Sequence, residues 1–322
     1  MNFLKCLLRP LLPFFLRING VATTLKQNNK KTVKVGFVGE FGYGLVGLFP
    51  FLNFLATQGY KLNTAGLRGS SPFFYFSENH EEIPNLSVGS WGSAAGAWKM
   101  RRYGSILDPI FVPIEGSRRY LKVDNFEWAS KHLSVRHPRY AHYVKLELPA
   151  TPGRFASEVE LLGDFFVLNI KNYQTWQGQY VPNWYLADEV EAVYQKSVEL
   201  GISLVLNRSP VPPSEGEPSE DQRFVDELTK CPGVVDLENR YSSMDWSSAN
   251  ELQLQVLKGA KHVWATQGGN AALALTTASH VTILMRGGLD WEDYQFMANF
   301  YEAEVEILHS VFQSRFYALD SP

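Results

Sequence analysis

The chain has 322 residues, 45% of them hydrophobic and 20% charged, which is the composition of a folded globular protein and excludes a disordered one. The net charge of −3 gives no electrostatic footprint for nucleic acid. Two cysteines far apart in the sequence exclude a disulfide framework and favour a reducing, cytoplasmic compartment.

The N-terminal segment, residues 1–18, is apolar but is broken by three basic residues and two prolines. A transmembrane helix needs about 20 consecutive apolar residues, and a secretory signal needs an uninterrupted apolar stretch, so the segment is neither. Two interpretations remain for this extension, which we place at residues 1–32. Residues 1–18 rest on a membrane surface as a peripheral contact near a lipid-linked acceptor, or they pack on the protein itself.

A strand, a glycine turn, a helix and a second strand open the first predicted domain, residues 33–150. Val33–Val38 is typical of a short buried strand, and a helical pattern over Leu45–Gln58 ends at Gly59. The next strand is predicted at Lys61–Ala65. This order is that of a doubly wound domain.

The rest of the first domain has a weaker pattern. Gly and Ser punctuate Ser87–Arg119, which we expect to be irregular. Tyr143–Leu148 alternates between apolar and polar residues, which predicts a half-buried strand. A Pro-containing segment follows it and predicts the domain junction.

The second predicted domain, residues 151–300, has a more regular alternation of strands and helices, so the predicted fold class is α/β with two Rossmann-like domains. Its predicted strands are Phe165–Ile170, Ile202–Asn207, Gly233–Leu237, His262–Thr266 and Val281–Met285. Its predicted helices are Ala187–Leu200, Ser248–Gly259 and Asn270–Ala278. A helical pattern over Asp293–Val311 predicts one long terminal helix, so residues 301–322 are assigned to a C-terminal helix.

The best local motif is a strand that ends in Thr266 and delivers Gln267, Gly268, Gly269 and Asn270 to the start of a helix. Two glycines let the backbone approach a ligand closely, and free N–H groups at a helix N-terminus favour an anion such as a diphosphate. The alternative is structural: Asn270 is an N-cap, and the glycines form an ordinary turn.

Three further side chains follow predicted strands, where ligands bind in open α/β sheets. The functional interpretation is that Lys171 neutralises a phosphate, Trp176 stacks on a base or sugar, and Arg208 binds a diphosphate with its guanidinium. The alternative is a surface loop with an ordinary salt bridge.

Two residues are candidates for a general base. Glu40 lies in the first strand–helix turn, where a carboxylate can take a proton from an acceptor hydroxyl. It is equally suited to be a helix-terminus charge. His80 is the rival base, although a lone histidine in a polar loop is more often solvated.

No metal site is predicted. His132, His137 and His142 are spaced by five residues and do not share a helix face. The chain has no Asp-x-Asp pair, which enzymes commonly use to hold a nucleotide diphosphate through a metal. Cationic side chains and helix dipoles are expected to take that part instead.

Taken together, the motifs resemble GT-B glycosyltransferases of polysaccharide and surface-glycan assembly, with a distant similarity to fucosyltransferase-like enzymes. The resemblance covers most of residues 33–300. The strings that carry it are GEFGYG, NIKNYQTW with PNW, LVLNR, NELQ, ATQGGNAALA and ILMRGG.

The resemblance implies two facing Rossmann-like domains, with the acceptor on the first, the nucleotide-sugar on the second and a final helix that returns to the first. It implies that residues 267–270 and Arg208 hold the diphosphate beside Lys171. It also implies that Asn250 and Glu251 contact the nucleoside or order the adjacent loop. Glu40 becomes the candidate base.

The resulting hypothesis is a metal-independent, inverting transfer of a sugar from a nucleotide-sugar to a glycan hydroxyl. The nucleotide-sugar is a co-substrate, and no other cofactor is expected. Two alternatives stay open: a non-catalytic scaffold that binds a glycan or a partner transferase, and a nucleotide-sugar epimerase.

Overall fold

The structure, a computed structural model, describes residues 32–36, 42, 44–45, 49–66, 68–82, 144–149, 153–170, 185–208, 220–285 and 291–309. The chain divides into two compact units, residues 1–145 and 146–322. Each unit has its own parallel sheet. No helix among the described residues is long and apolar enough to cross a membrane.

The first unit contains a three-stranded parallel sheet in the order β1-β2-β3. Its elements are β1 (Thr32–Gly36), α1 (Phe49–Thr57), β2 (Lys61–Gly66) and β3 (Asn79–Glu82), with a short 3-10 helix at Ser71–Phe74 before β3. Helix α1 buries Phe49, Leu52 and Leu55, and the chain leaves it through Gly59 at φ +80°. The left-handed conformation of Gly59 explains why the helical pattern stops there.

The predicted strand at Tyr143–Leu148 is wrong. Residues 144–147 have no regular secondary structure. The Val144 N–H donates to the carbonyl of Pro50 over 3.1 Å, and the carbonyl of Lys145 accepts from the Asn53 side chain over 2.8 Å. These backbone groups are therefore satisfied by α1 and not by a strand ladder.

The second unit contains a six-stranded parallel sheet in the order β6-β5-β4-β7-β8-β9. Its strands are β4 (Phe165–Ile170), β5 (Ser203–Arg208), β6 (Val234–Asp236), β7 (His262–Thr266), β8 (His280–Met285) and β9 (Glu304–His309). Its helices are α2 (Ala156–Glu160), α3 (Ala187–Leu200), α4 (Glu220–Leu228), α5 (Glu238–Ser242), α6 (Trp246–Gly259), α7 (Gly269–Thr277) and α8 (Trp291–Tyr301).

This strand order is the doubly wound 3-2-1-4-5-6 order when β4 is counted as the first strand. Strand β4 pairs with β5 on one side and with β7 on the other, so the direction of winding reverses between β4 and β7. All six residues of β4 are buried, as expected for a central strand covered on both faces. Ligands bind in such sheets beyond the carboxyl ends of the strands at this reversal.

The predicted terminal helix is also wrong in part. Helix α8 ends at Tyr301, and Glu304–His309 forms strand β9, parallel to β8. Glu302 adopts φ +62° between them, and the Glu304 N–H donates to the carbonyl of Ser279 over 2.8 Å. The backbone therefore leaves the helix to complete the sheet, and residues 310–322 of the predicted C-terminal helix lie outside the described residues.

Candidate functional site

The glycine turn lies at the carboxyl end of β7, next to the reversal of winding. Gln267 is 3% exposed, and its N–H donates to the carbonyl of Leu284 on β8 over 3.1 Å. Gly268 follows at φ +112° and ψ −154°, and α7 begins at Gly269. That backbone region is open only to glycine, so the sequence choice at position 268 is fixed by conformation.

Asn270 is not the N-cap that the structural alternative supposed. Gly268 holds the N-cap position, and the first intrahelical bond runs from the Ala272 N–H to the Gly268 carbonyl over 3.1 Å. Asn270 is therefore inside the first turn of α7. Because the N-cap residue is a glycine, no side chain caps this helix start. The positive end of the helix dipole therefore faces the carboxyl ends of the strands directly.

A row of buried polar side chains ties this helix start to the sheet. The Tyr241 hydroxyl donates to Asn207 Oδ1 over 2.5 Å, and Asn207 Nδ2 donates to Asn169 Oδ1 over 2.9 Å. Asn169 Nδ2 in turn donates to the carbonyl of Asn270 over 3.4 Å. Asn169 and Asn207 are fully buried neighbours on β4 and β5, so the row fixes α7 relative to both strands.

Two more polar groups meet the turn. The hydroxyl of Tyr294 on α8 accepts a hydrogen bond from the Gly268 N–H over 2.6 Å. Thr266, the last residue of β7, is fully buried, and its hydroxyl has no hydrogen-bond partner within the described part of the chain. Sequence reasoning missed Tyr294, because nothing in the pattern of α8 distinguishes it from a core aromatic residue.

Arg208 lies at the end of β5 as predicted, but its guanidinium is already occupied. It contacts Asp226 and Glu238 over 2.7 Å each and makes a two-pronged contact with Asp236. Burial lowers the pKa of Arg208, but the hydrogen bond and charge of Asp236 outweigh burial and raise it above its ordinary value. The geometry assigns Arg208 to an ion-pair cluster with three carboxylates and gives no support to its predicted role on a diphosphate.

Asn250 and Glu251 lie on α6, half-buried. Glu251 accepts hydrogen bonds from the Arg154 N–H over 3.3 Å and from Gln255 Nε2 over 3.4 Å. Glu251 thus holds the chain segment that leads into α2, and the predicted part of Asn250 and Glu251 in nucleoside binding stays a prediction. Glu40, Lys171 and Trp176 lie outside the described residues, and their predicted roles stay predictions.

His80 is in strand β3, not in a loop. Its Nδ1 lies 2.7 Å from the Thr64 hydroxyl, its Nε2 lies 2.9 Å from the Ser70 hydroxyl, and its ring stacks on Phe74 at 4.5 Å. Burial lowers the pKa of His80 to about 4, against the opposing charge of Glu82. The imidazole is therefore neutral at pH 7, and both nitrogens are engaged within the first unit.

Within the described ranges, no group of three or more His, Cys, Asp or Glu side chains is arranged to hold a metal ion.

No protein-family model and no curated protein sequence matches this chain. Its fold is similar to that of a glycosyl transferase family 9 protein from Veillonella parvula, with a TM-score of 0.51, 9% identity and coverage of 89% of this chain and 90% of that one. It is also similar to the E. coli ADP-heptose LPS heptosyltransferase II, with a TM-score of 0.51, 8% identity and coverage of 87% and 90%.

At such low identity these likenesses show the fold alone. They confirm the predicted α/β class with parallel sheets. The fucosyltransferase-like part of the sequence resemblance gains no support, since both structures have other names.

The conformation of Gly268 leads to a first prediction. Gly268→Ala places a Cβ in a backbone region that costs about 1–3 kcal/mol for residues other than glycine, so the free energy of unfolding is expected to fall by that amount. Urea denaturation measures it. Gly201→Asn is the matched control, because Gly201 is left-handed at φ +64°, a region that Asn tolerates, and its loss is expected to be smaller. Equal losses of unfolding free energy in the two variants would contradict the glycine-only backbone conformation assigned to Gly268.

The environment of His80 predicts a pH dependence. Its pKa is about 4 in the folded protein and 6.5 in the unfolded chain. Below pH 6.5 the unfolded chain binds a proton that the folded protein does not, so the free energy of unfolding falls from about pH 6.5 to about pH 4. Denaturation at pH 7 and pH 5 measures the loss, and His80→Gln is expected to reduce the slope. An NMR titration of the His80 ring centred near 6.5 would contradict this picture.

Proposed function

We propose that this protein is a nucleotide-sugar-dependent glycosyltransferase whose donor diphosphate binds beyond the carboxyl ends of β4 and β7. The observation that carries the proposal is the position of the Gly268 turn. It joins β7 to the N-terminus of α7 next to the reversal of winding in the second sheet. The fold likeness to two sugar transferases over most of the chain supports the same reading.

The physical argument for a diphosphate rests on α7. A helix N-terminus carries roughly half a positive charge and N–H groups that point at an anion. Gly268 and Gly269 have no side chains to shield these groups, so phosphate oxygens can approach the backbone. The buried hydroxyl of Thr266 lacks a partner among the described residues, and a ligand oxygen at the strand end would provide one.

The proposed reaction is a direct displacement at the anomeric carbon with inversion. Glu40 takes the proton from a glycan hydroxyl as the oxygen attacks, and the bond to the diphosphate breaks. The departing charge is stabilised by the α7 dipole and by Lys171, without a metal ion. Trp176 stacks on the base or sugar. Because Arg208 is neutralised by three carboxylates, Lys171 is the preferred cation.

An adenosine diphosphate sugar is the first donor to test, since the name of the E. coli structure specifies ADP-heptose. The proposed acceptor is a glycan, and residues 1–18 bring the enzyme to a lipid-linked acceptor at the cytoplasmic membrane surface.

Binding of a nucleoside diphosphate tests the proposal directly. ADP, GDP, UDP, CDP and TDP are each added in a thermal-shift assay with and without Mg²⁺. A ligand at 100 times its Kd is expected to stabilise the folded state by about 2.7 kcal/mol, which is readily measured. Stabilisation by one of them without metal is the expected result. A flat response to all five would overturn the donor site.

The role of Glu40 gives a separate prediction. Glu40→Gln removes the basic carboxylate and keeps the shape, so turnover is expected to fall by at least about 100-fold. Donor binding in the thermal-shift assay is expected to be unchanged, because Glu40 acts on the acceptor. The control is His80→Gln. Its turnover is expected to stay close to that of the wild type, because both ring nitrogens of His80 are engaged by Thr64 and Ser70. Near-normal turnover of Glu40→Gln would remove this residue from the mechanism.

A further inference from the structure

We propose that Tyr294 on α8 is a positioning residue that holds the glycine turn in the geometry needed to bind the donor diphosphate. The inference rests on the proposed function. It gives α8, which follows the glycine turn in the chain, a part in shaping the donor site. Tyr294 is 5% exposed, so its side chain is buried against the turn.

The turn is held by hydrogen bonds from two consecutive residues. The Gln267 N–H donates to Leu284 on β8, and the Gly268 N–H donates to the Tyr294 hydroxyl on α8 over 2.6 Å. The two acceptors belong to different elements, so the peptide unit between these residues is restrained from two sides. Glycine can adopt many backbone conformations, so this double restraint selects the one that Gly268 has in the turn.

The identity of the occupied N–H group matters for ligand binding. N–H groups in the first turn of a helix have no intrahelical acceptor and need another partner. Tyr294 provides that partner for Gly268, so a bound anion has to satisfy only the N–H groups that follow it. A turn that is already ordered also loses less conformational entropy when the ligand binds.

Tyr294→Phe tests the inference, because it removes the acceptor and keeps the ring. The Kd for ADP, or for whichever nucleoside diphosphate stabilises the wild type, is expected to rise about tenfold in calorimetry, a change that corresponds to 1.4 kcal/mol. Amide hydrogen exchange in the peptide that contains Gly268 is expected to become faster, while exchange in α3 stays unchanged.

Thr282→Val is the matched control. Thr282 is 1% exposed on β8, and its hydroxyl bonds to His262 over 2.8 Å and to Glu306 over 3.3 Å. The variant loses two part-buried hydrogen bonds without touching the turn, so its Kd is expected to stay within about twofold of the wild type.

The outcomes separate the two proposals. If the wild type binds a nucleoside diphosphate and Tyr294→Phe binds it equally well, the positioning role is overturned and the proposed function stands. Equal losses of affinity in Tyr294→Phe and Thr282→Val would trace the effect to general destabilisation and would also overturn the role. If the wild type binds none of the five nucleoside diphosphates, the proposed function fails, and the inference fails with it.

Discussion

The buried row from Tyr241 through Asn207 and Asn169 to the Asn270 carbonyl is the constraint on which the second unit depends. Each member removed would leave a buried polar partner unsatisfied, at a cost of about 1–3 kcal/mol. A slip of one residue between β4 and β5 would turn one asparagine to the opposite face and break the row. The row therefore fixes strand register and the start of α7 with the same atoms.

A glycine turn becomes a candidate binding site only when its surroundings hold it in one conformation. Here β7 delivers it, β8 accepts from Gln267, α8 accepts from Gly268, and the asparagine row holds Asn270. Three elements and the asparagine row thus converge on a few residues of backbone. This arrangement is preorganised without a ligand, which reduces the entropy lost on binding.

A cationic side chain at a strand end is not by itself evidence of a ligand site. Arg208 lies at the edge where ligands bind in such sheets. Its charge is nevertheless neutralised by ion pairs with Asp226, Asp236 and Glu238. Tyr241 beside it stays protonated, because burial raises the pKa of its hydroxyl, so it acts as a donor. The N-terminus of α7 has no such counter-charge from a side-chain cap, which makes it the stronger candidate for an anion.

The sequence by itself determined the elements whose signals are local. Strands β4 and β7 and helix α3 were predicted with the correct first and last residues. Their signals are local: a continuous apolar run marks each strand, and a glycine directly after the last residue marks the end of the helix. Only the tertiary structure decided the rest. The alternating residues Glu304–Ile307 form part of strand β9 because they pair with the free edge of β8. The side chains of Arg208 and Tyr294 bind partners that lie about 20 to 30 residues away in sequence. Such pairings depend on strand order and helix packing, which short-range patterns do not encode.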